Sequence, residues 1–318
     1  MGVMTAPARR QPQVSSLIIV VIATAGRPRQ VEDSLALLRL QSRRPDLVVV
    51  SATASSDLPQ HMDQLRARLP FTTELLFGSK GLTRQRNRAL ERVQALAAND
   101  VSRGGVVFFD DDFVPREDWL ENAAAEFSAR PGCVGLTGVL LADGANGPGY
   151  DVAQASQMIR SGEAVLRGPR ARAGAVRALY GCNMALCGEV AVRVRFDEQL
   201  PLYGWLEDED VSGQLRKLGR LFRSDRLVGV HLGAKSGRVS GRDYGYSQIA
   251  NPLYLVRKGT YPVSSAAMLM ARNLASNLVK APFPEPYVDR AARLRGNLLA
   301  ITDLARGRLH PCGAAELR

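Results

Sequence analysis

The sequence predicts an α/β fold, with a Rossmann-like mixed, mainly parallel sheet flanked by helices and a helical extension at the C-terminus. Two observations carry this. Short apolar runs rich in β-branched residues alternate with helical periodicity through the first two thirds of the chain, an order that implies parallel strands joined by right-handed crossovers. After Gly233 the pattern changes to a Gly/Ser/Arg loop followed only by helical segments.

Leu17–Ile22 is the first strand. Arg9-Arg10 before it and Ala23-Thr24-Ala25 after it imitate a signal peptide, but the apolar run is short, mostly Ile and Val, and leads through Gly26 into a helical pattern. Residues 1–15 then form a disordered N-terminal tail, and Ala6 occupies the position where a myristoylation signal needs Ser or Thr. Strands follow at Leu47–Val50, Leu75–Phe77, Val106–Phe109 and Leu227–Val230, with helices at Pro28–Leu40, Leu58–Leu69 and Thr83–Ala97 between the early ones. Pro115 is expected to open the next helix, with Glu117 and Asp118 in its first turn. The Gly/Ala/Arg-rich stretch Leu141–Arg177 reads as a loop, either closing over a site or merely running over the surface. Val211–Leu218 is a helix ended by Gly219, and the extension holds helices at Ser247–Lys258, Val263–Lys280 and Pro286–Arg306.

With 318 residues and 46% hydrophobic content the chain can bury a full core. A formal charge of +11 attracts polyanions, yet only 6% of residues are aromatic and none form a stacking motif among the basic residues. This argues against a nucleic-acid module and for a diphosphate ligand or a membrane surface. Cys133, Cys182, Cys187 and Cys312 make no CxxC pair and read as reduced thiols of a cytoplasmic protein. No apolar stretch is long enough to span a bilayer. Met268, Leu269, Met270, Leu274 and Leu278, interleaved with Arg272 and Lys280, read first as a helix packed on its own domain, with peripheral contact to the inner face of an anionic membrane as the alternative.

Chemistry concentrates in three places. Val106–Phe109 delivers Asp110-Asp111-Asp112 to a strand's carboxyl end, where helix capping needs only one carboxylate and a divalent cation would offset the repulsion of three. Glu207-Asp208-Glu209-Asp210 opens a helix, a position that the helix dipole favours for acids in any case. His231, one of three histidines, ends the last strand, where a neutral imidazole could complete a metal site.

In their order these features resemble the bacterial-type family 2 inverting glycosyltransferases of the GT-A fold, from about Ser16 to His231. Val20-Val-Ile-Ala-Thr-Ala-Gly-Arg-Pro28 is similar to that family's first strand and nucleotide-contacting turn, and Gly81-Leu-Thr-Arg-Gln-Arg-Asn87 to its glycine-then-Arg-Asn segment. Asp110-Asp-Asp112 matches its DxD motif, Tyr180–Leu186 and Phe196–Glu198 its acceptor-side strand and turn, and Glu207–Ser212 its ED-containing helix start. The resemblance implies a domain at 16–235, divided into a nucleotide-binding half (16–112) and an acceptor-binding half (113–235), and an extension at 236–318. It implies a nucleotide diphosphate sugar donor (UDP or GDP), a saccharide or lipid-linked saccharide acceptor, and Mn²⁺ or Mg²⁺, in surface polysaccharide or glycolipid synthesis. Ala23, Thr24, Arg27, Arg86, Asp110 and Asp111 would bind the donor, Asp112 and His231 the metal. Asp208 would be the base, with Glu207 its competitor. Two departures stand out: Ser51–Asp57 replaces the usual base-reading Asp after the second strand, with Asp57 a substitute from the loop, and Ala25-Gly26-Arg27 replaces an aromatic and Asn. Two other readings remain open here. Asp110-Asp-Asp-Phe-Val114 also fits the DxDx[TV] motif of haloacid-dehalogenase-like phosphatases, with Asp110 as nucleophile, and a sugar-nucleotide binder without turnover would share the donor site.

Overall fold

The computed structural model describes residues 17–96, 104–162, 164, 172–236, 239–283 and 285–316. The tail expected at residues 1–15 lies outside them, as does most of the basic stretch 167–174.

Four parallel strands, β1 (Ile18–Ala23), β2 (Leu47–Ala52), β3 (Thr72–Phe77) and β4 (Gly105–Asp110), form one half of the sheet in the order β3-β2-β1-β4. The runs of β1, β2 and β4 are apolar on both faces because the sheet is covered on both there. Val20, Ile22, Val48, Val50, Val107 and Phe109 enter one core with α1 (Pro28–Arg39), while the alternate residues Ile19, Val21, Val49, Val106 and Phe108 enter another. The short α2 (Met62–Ala67) lies on the first side, and α3 (Leu82–Leu96) on the second, through Ala89, Leu90 and Val93.

The other half is mixed. β5 (Phe113–Pro115), β6 (Cys133–Asp143), β7 (Gly174–Ala175), β8 (Asn183–Cys187) and β9 (Arg220–His231) continue the sheet from β4 as β8-β6-β9-β5, with β7 also on β9. β8 is antiparallel to both β4 and β6, and β6 runs parallel to β9. α4 (Trp119–Ala129), α5 (Val152–Ser161), α6 (Gly188–Ala191) and α7 (Glu207–Leu215) flank it.

Several sequence expectations change; β9 starts at Arg220 and not Leu227, and in the extension one helix starts at Gly241 and not Ser247 and another at Arg290 and not Pro286. Pro115 ends β5 instead of opening a helix, and α4 starts at Trp119. β5 lies at the end of the sheet, where a residue without an N–H loses no ladder bond. The helix expected at Leu58–Leu69 shrinks to Met62–Ala67, since Pro59 holds Leu58 extended. α7 begins at Glu207, four residues before Val211, with Leu206 in the left-handed region at its N-cap. The stretch from Leu141 is not all loop: its first residues finish the 11-residue β6, and Val152–Ser161 is α5, capped reciprocally by Asp151 and Gln154.

The extension contains α8 (Gly241–Lys258), α9 (Val263–Lys280), α10 (Arg290–Ala305) and α11 (Gly313–Glu316). α8 and α10 cross at backbone contact: a Cβ on Gly245 would meet the Arg293 carbonyl oxygen at 2.0 Å, and one on Gly296 that of Arg242 at 2.0 Å. Asn277 donates to Gln248 and to Asn297, each at 2.8 Å, tying α9 to both. The bundle docks on α7 through Asp210, which is fully buried and accepts from Thr260 Oγ1 at 2.6 Å and Lys258 Nζ at 2.8 Å. Asp210→Ala removes that anchor and leaves Lys258 half-compensated by Asp197; the variant is expected to lose about 3 kcal/mol in chemical denaturation. A loss under about 1 kcal/mol would contradict this anchoring role.

Candidate functional site

Parallel pairing in register brings the carboxyl ends of β1 and β4 together, with Ala23 beside Asp110. The three aspartates then diverge, because β4 ends at Asp110 and the chain turns through Asp111 and Asp112 before β5. Asp111 turns back toward β1. Its carboxylate accepts from Thr24 Oγ1 at 2.7 Å and from Arg27 Nη1 at 2.8 Å, and its carbonyl accepts from Ser34 Oγ at 3.0 Å. Arg27 also donates to the Ser236 carbonyl at 2.6 and 3.0 Å, joining the first turn to the loop after β9. Burial pushes the Asp111 carboxyl up to about 6 against the pull of Arg27.

Asp110 and Asp112 converge on His231, and one ligand atom from each of the three lies within 4.8 Å of the others. The β5–β9 pairing sets His231 opposite Phe113, directly after Asp112. The Asp112 carboxylate approaches His231 Nε2 at 3.4 Å and accepts from the Ala234 N–H at 2.7 Å. Burial would raise the Asp112 carboxyl, but His231 and Arg27 override it and hold it down at about 2. His231 Nδ1 lies 2.9 Å from Asp143 Oδ1, and Asp143 accepts from the Tyr180 hydroxyl at 2.9 Å through its other oxygen. Burial lowers the imidazole and the two flanking carboxylates more than reverse it, to about 10. An imidazole fixed at Nδ1 by a carboxylate presents Nε2 in one orientation, the arrangement that metal-binding histidines use. Two carboxylates and an imidazole suit Mn²⁺, and carboxylates suit Mg²⁺.

The second acidic cluster meets the first through Arg86 of α3, whose side chain is 2% exposed. Its guanidinium donates to Glu207 at 2.6 Å, to Asp110 at 2.8 Å and to the Gly181 carbonyl at 2.8 Å, and lies over the Phe196 and Phe108 rings. Glu207 is buried, and burial pushes its carboxyl up to about 8, with Asp208 and Asp110 adding and Arg86 opposing. Asp208 is partly exposed; it accepts from the Gly181 N–H at 3.1 Å and from the Glu209 N–H at 2.9 Å. Of the four acids of this cluster, Glu207 and Asp210 are committed to the interior, whereas Asp208 and Glu209 are partly exposed. A Cβ on Gly181 would sit 2.6 Å from Glu207 Oε1, so the approach of this segment to α7 requires glycine.

Asp57, expected as a substitute base reader, is used internally. Its carboxylate accepts from Gly26 N–H at 2.7 Å, Thr53 N–H at 2.7 Å, Thr53 Oγ1 at 2.6 Å and Ala54 N–H at 3.0 Å, bonds that override burial and hold it below the usual carboxylate range. It fixes the β1 and β2 turns to each other.

Sequence reasoning missed Asp143 and an aromatic cluster. Asp143 carries the same signal as Asp110, an acid closing an apolar run (Val134–Ala142), hidden inside a stretch read as loop. Tyr203, Trp205 and Tyr244 gather just before Asp208, with Tyr244 5.7 Å from Tyr203 and 5.5 Å from Trp205 by ring centroids. Tyr244 comes from α8, over 30 residues away, so spacing gave no sign of it.

No family model matches the sequence, and no curated protein does. Solved structures do. The mannosyltransferase PcManGT from Pyrobaculum calidifontis, in complex with GDP-Man and Mn²⁺, shares 18% identity over 98% of this chain and 89% of its own, at a TM-score of 0.52. Residues 1–349 of S. aureus TarS share 14% over 92% of each chain, at 0.53. GalNAc-T7 with UDP, GalNAc and Mn²⁺ shares 12% over 86% of this chain and 59% of its own, at 0.50. The fold of this chain is the GT-A fold of these glycosyltransferases.

Two outcomes follow from this geometry. Asp143→Asn should weaken Mn²⁺ binding 10- to 100-fold, read by electron paramagnetic resonance titration; unchanged affinity would remove Asp143 from the orientation of His231. Glu207 holds its proton more tightly in the folded chain than at its ordinary value of 4.5. Its contribution to stability is therefore full below about 4.5 and is lost as pH rises through about 8. Glu207→Gln should flatten the fall in melting temperature over that window, and an unchanged slope would refute the assignment.

Proposed function

We propose that this chain is a metal-dependent family 2 glycosyltransferase that moves a hexosyl group from a UDP- or GDP-sugar to an acceptor hydroxyl with inversion, in the synthesis of a surface polysaccharide or glycolipid. The observation that carries it is the meeting, on a GT-A fold, of Asp110, Asp112 and His231 with a partly exposed Asp208 across Arg86 and Gly181. The neighbours solved with GDP-Man and Mn²⁺, or with UDP, GalNAc and Mn²⁺, support the donor class and the cation.

Each residue has a part. Asp112 and His231 would hold the cation, with Asp110 beside them against the donor sugar or ribose. Bound there, a divalent cation supplies charge neutralisation for the departing diphosphate. Thr24 and Ala23 line the nucleotide turn. Arg27 and Arg86 keep the acidic floor neutral enough for a diphosphate to approach, and Arg27, partly exposed, can turn from Asp111 to a phosphate. Asp208 Oδ1 and Oδ2 are each held by a backbone N–H, which aims the carboxylate as it takes the acceptor proton. The new bond forms from the acceptor oxygen to the anomeric carbon as the bond to the diphosphate breaks, so one displacement inverts the centre. Tyr203, Trp205 and Tyr244 offer aromatic faces on which an acceptor sugar can stack.

The phosphatase alternative loses support. Its nucleophile follows the first strand of its fold, whereas Asp110 ends the fourth and is held by Arg86. Asp208→Asn is expected to lower transfer at least about 10³-fold while donor affinity changes less than about threefold, compared by release of nucleotide diphosphate and by calorimetry. Normal transfer by the variant would overturn the base assignment. A wild-type chain that binds donor but never turns it over with any saccharide acceptor would favour the non-catalytic reading.

A further inference from the structure

Among the described residues fifteen large apolar side chains are exposed, and ten of them lie between Val263 and Leu304. α9 buries only Ala266 and Asn277. Its open face runs Met268, Arg272, Ala275, Val279 at helical spacing, with Met268 72% and Val279 66% exposed, and the helix contains no acidic residue. α10 presents Leu298, Ile301 and Leu304, flanked by exposed Arg295 and Arg306. Residues 263–308 hold seven Lys or Arg against three Asp or Glu, and Glu285 is already shared by Lys280 and Arg290.

We infer that the α9–α10 face docks on a lipid bilayer surface containing anionic headgroups. Its apolar side chains would enter the boundary between headgroups and acyl chains while the arginines meet phosphates. Charge decides against the two other occupants. A second copy on a two-fold axis would set this cationic face against itself. Segment 1–16 carries Arg9 and Arg10 and no acid, so it brings no complement either. The face also continues to the site: Phe283, 68% exposed, and Tyr287 line a cavity of about 510 Å³ with Lys235 and Arg290. Lys235 Nζ lies 5.6 Å from the centre of the Tyr287 ring, and the preceding Ala234 binds Asp112. An acceptor carried in the bilayer would thus arrive beside the acidic cluster.

The inference stands apart from the transfer reading, since vesicle binding is measured without donor or acceptor. The full chain is sedimented with vesicles of phosphatidylglycerol and phosphatidylcholine in equal parts, and with phosphatidylcholine alone. Binding to the anionic vesicles only, weakened by salt, is expected. Met268→Glu combined with Leu298→Glu should reduce it about tenfold or more and Arg272→Glu about fivefold, while Leu40→Glu, elsewhere on the surface, leaves it unchanged. Thermal melts confirm that each variant is folded. Equal binding to both vesicle types, indifference to the α9 and α10 substitutions, or a dimer in light scattering that those substitutions dissociate would each overturn the proposal.

Discussion

Carboxylates on Asp110, Asp111 and Asp112 stand side by side at the carboxyl edge of a dry sheet, and the surrounding structure is arranged to keep their charges apart. The turn after β4 sends the middle one away from its neighbours, and each carboxylate has its own partner: Arg27 on Asp111, Arg86 on Asp110, and His231 against Asp112. Arg27 reaches the loop after β9, Arg86 reaches α7, and His231 reaches Asp143 on β6. Compensating one acidic turn therefore fixes three elements that are distant in sequence. Charge compensation of this kind fixes the acidic turn in one geometry.

The segment Tyr180-Gly181 couples the two halves of the site. The Tyr180 hydroxyl donates to the carboxylate that orients His231, while the Gly181 N–H holds Asp208 and its carbonyl accepts from Arg86. A shift of that short stretch would move Asp208 and the His231 imidazole together. Behind it, Asp210 locks α7 to Lys258 and Thr260, so the helix that presents Asp208 is braced by the C-terminal bundle. The extension thus supports the site mechanically and also contributes Tyr244 to its rim.

Most of the parallel half of the fold was legible because β1, β2 and β4 are buried on both faces, which writes a plain apolar run into the sequence, and they appear within one or two residues of expectation. The mixed half was not. β6 ends inside a glycine-rich stretch, and β5 spans only Phe113–Pro115, too short for any periodicity. The sequence pointed to Asp112 and His231 for a metal and to Asp110 as a donor contact, and the structure brings ligand atoms of all three together. Their mutual distances depend on the β5–β9 pairing, which no local pattern encodes. The division of labour within Glu207–Asp210 was also hidden. Helical spacing places Glu207 and Asp210 on one face, but only packing against Arg86 and Lys258 shows that face to be the interior, leaving Asp208 partly exposed.

The central proposal is that Asp112 and His231, with Asp110 beside them, hold a divalent cation that in turn holds a nucleotide diphosphate. Isothermal titration of the wild-type chain with UDP and with GDP, in Mn²⁺ and again in a chelator, tests it most directly. The account predicts that one of the two nucleotides binds in Mn²⁺ and that its affinity falls at least about 100-fold when the metal is removed, since the acidic floor then faces the diphosphate without a bridge. Equal binding in chelator, or none to either nucleotide in Mn²⁺, would contradict it.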